Sequence, residues 1–226
     1  MNPWIALPES APFVLPADAA VIERFNCSAP EPFWLRLDLL PEPFVGRQDA
    51  PVVLLALNPG FSDSDPGLHG SATFAASVRK NIRHDSQAYP FYLLDPSNKG
   101  PGYDWWRQRL RLLLEEFGAP LVSRSLLCVE YFPYHSRRYA HAKLDVPSQS
   151  YARELVHAAV QRDAVVIVMR GWNLWREAVP ALENARRCFR LRSVQNVSVT
   201  PKNCPDGFAA VREVLQGELR VRENAQ

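Results

Sequence analysis

The chain has 226 residues, a net charge of +2 at pH 7 and a hydrophobic content of 47%. This hydrophobic content excludes a disordered chain, and the weak net charge excludes a strong overall basic field of the kind that attracts nucleic acid. No apolar run approaches the roughly 18 residues of a membrane span, and the first residues show no signal peptide. We therefore expect a cytoplasmic protein without a membrane-spanning segment.

Residues 1–50 are rich in proline and aromatic side chains. Because proline disfavours long regular helices, we predict an N-terminal arm that packs on the body through its aromatic residues, with one short helix over 17–25. No linker divides the remaining chain, so residues 51–226 are predicted to form a single α/β domain.

Apolar runs and amphipathic segments alternate along this domain. The apolar runs predict three buried strands followed by a half-covered or edge strand, over 52–57, 125–131, 164–169 and 188–192. The amphipathic segments predict helices over 72–83, 103–117, 148–162 and 173–185, and a last helix capped by Asp206. This alternation is typical of a three-layer α/β/α sandwich around a mostly parallel, four-stranded sheet.

The loops that follow the strands of such a sheet lie at one edge, where open α/β sheets bind their ligands. The first of these loops begins Asn58-Pro59-Gly60. Pro59 favours an extended Asn58, and Gly60 permits positive φ and a close approach of the backbone to a ligand. The same three residues also suit an ordinary turn, so their local pattern alone leaves both interpretations open.

Several kinds of site are not indicated by the sequence. The four cysteines are scattered without a C-x-x-C pair, and the histidines show no spacing typical of metal ligands. The chain also lacks the glycine-rich phosphate-binding motifs of nucleotide enzymes and the G-x-S-x-G motif of serine hydrolases. We therefore predict a site that uses no metal and no cofactor.

Four short motifs occur in order along the domain, namely Leu57-Asn58-Pro59-Gly60, Pro90-Phe91, Glu130-Tyr131-Phe132-Pro133 and Ser198-Val199-Thr200-Pro201-Lys202-Asn203. Through these motifs the chain resembles the uracil-DNA glycosylase superfamily, and most of all its single-strand-selective monofunctional and mismatch-specific branches. The corresponding family patterns at the first, third and fourth motifs are G-[IM]-N-P-G, N-L-C-P and H-P-S-P-R-N.

The resemblance implies a monofunctional DNA-base glycosylase, which flips a modified base out of the strand and hydrolyses its N-glycosidic bond. It implies that Asn58 positions the attacking water and that Phe91 stacks on the base. It further implies contacts to the base from Gly60, Phe61, Glu130 and Tyr131, and contacts to DNA from Arg137, Arg138, Thr200, Pro201, Lys202 and Asn203. We expect a monomer whose partner is single- or double-stranded DNA.

Two positions depart from the family pattern. Ser198 replaces the family's catalytic histidine, and a hydroxyl is a poorer donor to the departing base. Glu130 replaces the asparagine that reads uracil, and an ionised carboxylate only accepts hydrogen bonds, so it would prefer an amino group unless burial protonates it. Glu130 could instead be an ion-pair partner of Arg138 or Arg170.

Three functions therefore remain open from the sequence. The leading prediction is a DNA-base glycosylase that acts on uracil or another modified base. The alternatives are a binding module of the same fold that reads a base without cleaving it, and a hydrolase of free nucleosides. The arginines at 137–138 and 186–192 could also be ordinary solvated surface.

Overall fold

The computed structural model describes residues 1–223 and contains a five-stranded sheet. Its strands are β1 (Phe44–Gly46), β2 (Val52–Ala56), β3 (Leu126–Glu130), β4 (Val165–Val168) and β5 (Cys188–Arg190). They lie in the order β1-β3-β2-β4-β5, in which β1 alone is antiparallel to its neighbour. The predicted α/β class and mostly parallel sheet are thus confirmed.

The helices of the described chain are α1 (Pro16–Ser28), α2 (Asp65–His69), α3 (Ala72–Ile82), α4 (Pro101–Arg109), α5 (Arg111–Phe117), α6 (Ala119–Ser125), α7 (Gln149–Gln161), α8 (Trp172–Ala178) and α9 (Pro205–Glu223). The chain moves from β2 to β3 in one direction across the sheet and from β3 to β4 in the opposite direction. Right-handed connections place the helices of these two crossovers on opposite faces, consistent with the predicted sandwich.

The fifth strand, β1, was not predicted, and it comes from the segment assigned to the arm. Gly46 has a φ of 112°, and a Cβ at this position would collide with the carbonyl oxygen of Leu126 in the neighbouring strand. The side chain of Asn81 on α3 pairs with the same strand, accepting from Gly46 N at 2.9 Å and donating to Phe44 O at 2.7 Å. A short strand among prolines is therefore held by contacts distant in sequence.

Several predicted helix boundaries are wrong for local reasons. The single helix predicted over 103–117 is divided at Leu110, whose φ of −107° and ψ of 12° are not helical. Another helix, α6, begins after Gly118 and ends at Ser125, so the second strand begins at Leu126 and not at the predicted residue 125. The last helix begins at Pro205, so Asp206 lies in its first turn and does not cap it.

The N-terminal arm shares one hydrophobic core with the rest of the chain. Asp18 on α1 is fully buried, and its carboxylate accepts hydrogen bonds from Tyr134 Oη at 2.8 Å and Ser148 N at 3.1 Å. Trp4 packs against the ring of Tyr134, with 5.9 Å between the ring centres. These contacts join the arm to the loop after β3 and to the start of α7. Within residues 1–223, no helix combines the length and apolar character needed to cross a membrane.

Candidate functional site

A cavity of about 380 Å³ lies at the carboxyl edge of the sheet, where the sequence predicts a cleft. Its wall includes the ends of three adjacent strands, at Ala56, Glu130 and Met169. The direction of winding reverses at β2, which lies between β3 and β4. Ligands of open α/β sheets bind at such a reversal, so the fold places this cavity where binding is expected.

Asn58 lines the cavity with its amide group already fixed. Its Nδ2 donates to Pro59 O and to Ser136 Oγ, both at 2.9 Å, and Ser136 Oγ in turn donates to Arg138 O at 3.1 Å. Because an asparagine amide carries two N–H groups, both donors are used. Within the described chain Oδ1 has no hydrogen-bonding partner, so it remains an acceptor for a ligand or water.

Glu130 reaches the cavity from the end of β3 and is only 8% exposed. One carboxyl oxygen lies 3.8 Å from the Cys128 thiol, and the other is buried without a hydrogen-bonding partner. Desolvation by burial, reinforced by the charge of Glu42, raises the pKa of Glu130 to about 8. At pH 7 the side chain is therefore a neutral acid, which offers one donor and one acceptor.

The alternative role of Glu130, as an ion-pair partner, is not found. Neither Arg138 nor Arg170 lies within ion-pairing distance of its carboxyl group among residues 1–223, although the charge of Arg170 acts against the rise in the pKa of Glu130. The side chain is therefore held in the wall of the cavity without a counter-ion.

His135, which sequence reasoning missed, joins the arm to the Asn58 loop. Its Nδ1 lies 2.7 Å from Gly60 O and its Nε2 lies 3.1 Å from Leu40 O. Both ring nitrogens thus face carbonyl oxygens, which only accept hydrogen bonds, and Glu42 lies 3.6 Å from Nε2.

The carboxylate of Glu42 is itself enclosed. It accepts a short hydrogen bond from Tyr92 Oη, and desolvation by burial raises its pKa while the charge of His135 acts in the opposite direction. Tyr92 and Glu42 are thus connected to His135, and His135 holds the carbonyl of Gly60. The loop 58–61 is thereby fixed at a second point besides Ser136.

A second histidine, His69 at the end of α2, lines the cavity and was also missed. Its ring stands edge-on to His135 with 5.0 Å between the ring centres, and its Nδ1 is buried without a partner. Desolvation by burial, assisted by the charge of His135, lowers the pKa of His69 to about 2. The ring is thus neutral at pH 7 and offers the cavity one N–H and one lone pair.

Aromatic side chains and arginines surround the opening. Phe61 lies under two guanidinium groups, with 4.1 Å from its ring centre to Arg36 Cζ and 5.0 Å to Arg137 Cζ. Arg137 also forms a short ion pair with Asp63. Trp105 and Trp106 also line the cavity, with 4.8 Å between their ring centres.

Two predicted base contacts do not line the cavity. Phe91 is fully buried, packs on Trp106 at 4.9 Å between ring centres, and is held by a bond from its N–H to Ser123 Oγ. Tyr131 packs instead on Trp175, because it follows Glu130 along an extended segment and so faces the other side of the sheet. In this structure Phe91 is therefore not in a position to stack on a base in the cavity, whose aromatic lining includes Phe61, Trp105 and Trp106.

The loop over 198–203 also differs from the prediction. Ser198 Oγ donates to Asn196 Oδ1 at 2.8 Å, and its neighbour Val197 lines the cavity in its place. Asn203 is buried, donates to Asn196 O and Ser198 O, and accepts from Ser193 N. It ties the loop together and is not free to contact DNA.

The other predicted DNA contacts remain at the surface to different degrees. Arg137, Arg138, Pro201 and Lys202 are exposed, whereas Thr200 is half-buried and accepts a hydrogen bond from Asn203 N. Gly60 is exposed as well, but its φ is not positive and a Cβ there would meet no atom within 4 Å. The predicted conformational need for glycine at position 60 is therefore not found.

Among the described side chains, no group of three histidine, cysteine, aspartate or glutamate residues is arranged to hold a metal ion. Comparison of the chain with protein-family models, with curated proteins and with solved structures found no match.

Proposed function

We propose that this protein is a DNA-base glycosylase, which hydrolyses the N-glycosidic bond of a modified base held in the cavity. One observation carries the proposal: Asn58 and Glu130 line the same cavity, and neither Asn58 Oδ1 nor the second carboxyl oxygen of Glu130 has a hydrogen-bonding partner within the described chain. Cleavage of an N-glycosidic bond needs a positioned water at the sugar and hydrogen bonds to the base that leaves. The two side chains suit these two tasks.

Asn58 suits the positioning of water because its amide cannot turn freely. Its two N–H groups are bound to Pro59 and Ser136, so Oδ1 keeps one orientation. A water that donates to this oxygen would be held with its lone pair directed away from the amide. Positioning of this kind lowers the entropic part of a reaction barrier.

Glu130 suits recognition of a base that carries an oxo group beside a ring N–H. As a neutral acid it donates to the oxo group and accepts from the N–H, which is the pairing an amide side chain would give. Uracil, hypoxanthine and xanthine have such an edge. An amino group beside a ring nitrogen presents the opposite order of donor and acceptor, and a neutral acid can match it with the proton on its other oxygen, so selection between the two kinds of base needs a further group in the wall.

His69 supports the departure of the base. Negative charge develops on the base as the bond breaks, and a neutral imidazole N–H in a buried wall can donate to it. The Ser198 hydroxyl is bound to Asn196 and is not among the groups that line the cavity. We therefore assign to His69 the donor role that the sequence resemblance gave to Ser198.

The experiment measures base release from single- and double-stranded oligonucleotides that contain uracil, hypoxanthine, xanthine or an alkylated base. We expect release of at least one of these bases, and we expect Asn58→Ala to lower the rate by about 100-fold or more. Oligonucleotide binding by this variant should be largely retained, because the amide contacts water and not the DNA. The matched control is Asn173→Ala, an exposed asparagine on α8. Equal rates in the two variants would contradict the role of Asn58.

A non-catalytic binding module is the second candidate. It is favoured by the position of Ser198, since the donor predicted for the leaving base is absent from the cavity. Retained oligonucleotide binding without release of any of the four bases would support this candidate and contradict the glycosylase.

A further inference from the structure

Two arginines flank one loop at the rim of the cavity. Arg109 ends α4 and Arg170 follows β4. Arg170 Nε donates to Val194 O at 3.2 Å, and Val199 N donates to Arg109 O at 3.0 Å, so the segment 194–199 lies between them. Arg170 lines the cavity, and the guanidinium of Arg109 lies 5.1 Å from the ring centre of Trp105, which lines it too.

These arginines differ from the other pair at the rim by the absence of a carboxylate partner. Arg36 is paired with Asp38 and Arg137 with Asp63. Among residues 1–223, neither Arg109 nor Arg170 has a carboxylate oxygen within the 4.0 Å of an ion pair. The Nε of Arg109 is moreover buried without a hydrogen-bond acceptor.

The charges of Arg109 and Arg170 act on each other, as expected for two arginines without a carboxylate partner. Desolvation by burial, and then the charge of Arg170, lower the pKa of Arg109. Glu130 interacts with Arg170 as well, but at pH 7 it is a neutral acid, since its pKa is raised to about 8. Two neighbouring cations therefore share one rim without a compensating anion from the protein.

Arg109 Nη1 donates to Gln108 Oε1 at 3.1 Å and Arg170 Nε to Val194 O, which leaves Nη2 of Arg109 and the two terminal nitrogens of Arg170 without an acceptor among residues 1–223. These remaining donors match a phosphate group. A guanidinium presents parallel N–H groups that bind two phosphate oxygens at once, and an arginine held on an aromatic ring loses little entropy when it does so. The stack of Arg109 on Trp105 holds one such fork beside the cavity. A phosphate between the two side chains would remove their repulsion and supply the missing acceptor.

We propose that Arg109 and Arg170 together bind one phosphate of the substrate, so that the cavity takes the base of a nucleoside phosphate and not of a free nucleoside. The identity of the base rests on the proposed function, whereas the phosphate contact requires no cleavage. The proposal assigns the principal phosphate contact to these two arginines and not to Arg137, which is paired with Asp63.

The first test is the salt dependence of binding to a single-stranded oligonucleotide that contains one deoxyuridine. We expect Arg109→Gln and Arg170→Gln each to weaken binding roughly tenfold at low salt, and to reduce the slope of log K against log salt by about 0.7. The double variant should lose about the same slope and not twice as much, because both side chains bind one phosphate. The matched control is Arg111→Gln, an exposed arginine on α5, which should leave the slope unchanged.

Arg170→Lys separates a phosphate contact from a structural role. Lysine keeps the charge but cannot form the guanidinium fork or the same bond to Val194 O. If Arg170 contacts phosphate, the lysine variant recovers most of the salt slope that the glutamine variant loses. A slope that stays as low in Arg170→Lys as in Arg170→Gln would overturn the proposal.

The second test compares deoxyuridine with its 3′- and 5′-monophosphates. The wild type should bind a monophosphate more tightly than deoxyuridine, and Arg170→Gln should lose this preference. Equal affinities in the wild type, or no binding of any ligand, would overturn the proposal. Tight binding of a monophosphate without oligonucleotide binding would support the phosphate site and contradict a DNA substrate. A preference for the monophosphate that is lost in Arg170→Gln, without release of any base, would support the phosphate site and contradict only the glycosylase function.

Discussion

Glu130 carries a proton at neutral pH because of where β3 ends. The strand delivers the carboxyl group to a buried wall, where the Cys128 thiol is a weak partner and Glu42 is a second acid. The loss of hydration and the like charge both oppose ionisation. An acid on a more exposed loop would be ionised at this pH and could only accept hydrogen bonds from a base.

We expect the retained proton to make stability depend on pH. The folded state holds it up to a pKa of about 8, whereas the unfolded chain releases it near 4.5. Between these values the folded state binds more protons, so the free energy of unfolding falls as the pH rises, by about 1.4 kcal/mol per pH unit from this residue. His69 acts in the opposite direction, since its folded pKa of about 2 lies below its usual 6.5, and its contribution no longer changes above pH 6.5.

Urea unfolding of the wild type and of Glu130→Gln at pH 6.5 and 7.5 measures this dependence. The stability of the wild type relative to the variant should decrease by about 1.4 kcal/mol over that interval. A constant difference would show that Glu130 is already ionised. The affinity for the base should depend on the same proton and decline above pH 8 in the wild type. In Glu130→Gln the affinity should persist, because glutamine offers both a donor and an acceptor at all pH values.

Only part of this site could be predicted from the sequence. Asn58 was found because its position depends on its own neighbours, a buried strand and Pro59. The neutrality of Glu130 could only be left open, because it depends first on burial in the folded wall and then on Glu42, which precedes β1 and so reaches Glu130 through the pairing of β1 with β3. The sequence also does not show that the amide of Asn203 and the ring of Phe91 already have partners within the fold.

At the scale of elements, the edge strand β1 shows how a segment that looks irregular becomes part of the sheet. Its three residues pair with Val129, Cys128 and Leu127, and the cavity wall continues from it through Val45. The prolines at 41 and 43 argue against a strand in the local sequence. The strand forms through contacts with residues far along the chain, which no local pattern shows. The core strands were found because each is a continuous apolar run.

Two glycines provide a matched test of this element. At Gly46 both the φ of 112° and the carbonyl of Leu126 oppose a side chain, so we expect Gly46→Ala to destabilise the protein by about 2–4 kcal/mol. At Gly60 a Cβ has open space, so Gly60→Ala should change stability by less than about 0.5 kcal/mol. Chemical denaturation of both variants checks this, and similar losses at the two positions would show that β1 is not held as described.

The molecule as a whole depends on its arm. Residues that precede β2 supply an edge strand, a cavity wall at Glu42 and the carbonyl of Leu40 that binds His135. The arm also buries Asp18 against two donors from later parts of the chain. The arm and the later elements should therefore unfold together.

Asp18→Ala tests this cooperativity. The change leaves Tyr134 Oη and Ser148 N without their acceptor in a buried position, which should lower the free energy of unfolding by about 2–4 kcal/mol. Unfolding followed by tryptophan fluorescence and by circular dichroism should remain a single shared transition. The control is Asp85→Ala, at an exposed position. Two separated transitions would indicate an arm that unfolds by itself.

The pairing of β1 with β3 also sets an order of events during synthesis. Phe44 leaves the ribosome long before Val129, its partner across the ladder. At usual rates of translation the nascent chain waits on the order of ten seconds with Leu39, Leu40 and Phe44 unprotected, residues that end fully buried. The cavity can be completed only after Val197, which lines it, has been synthesised.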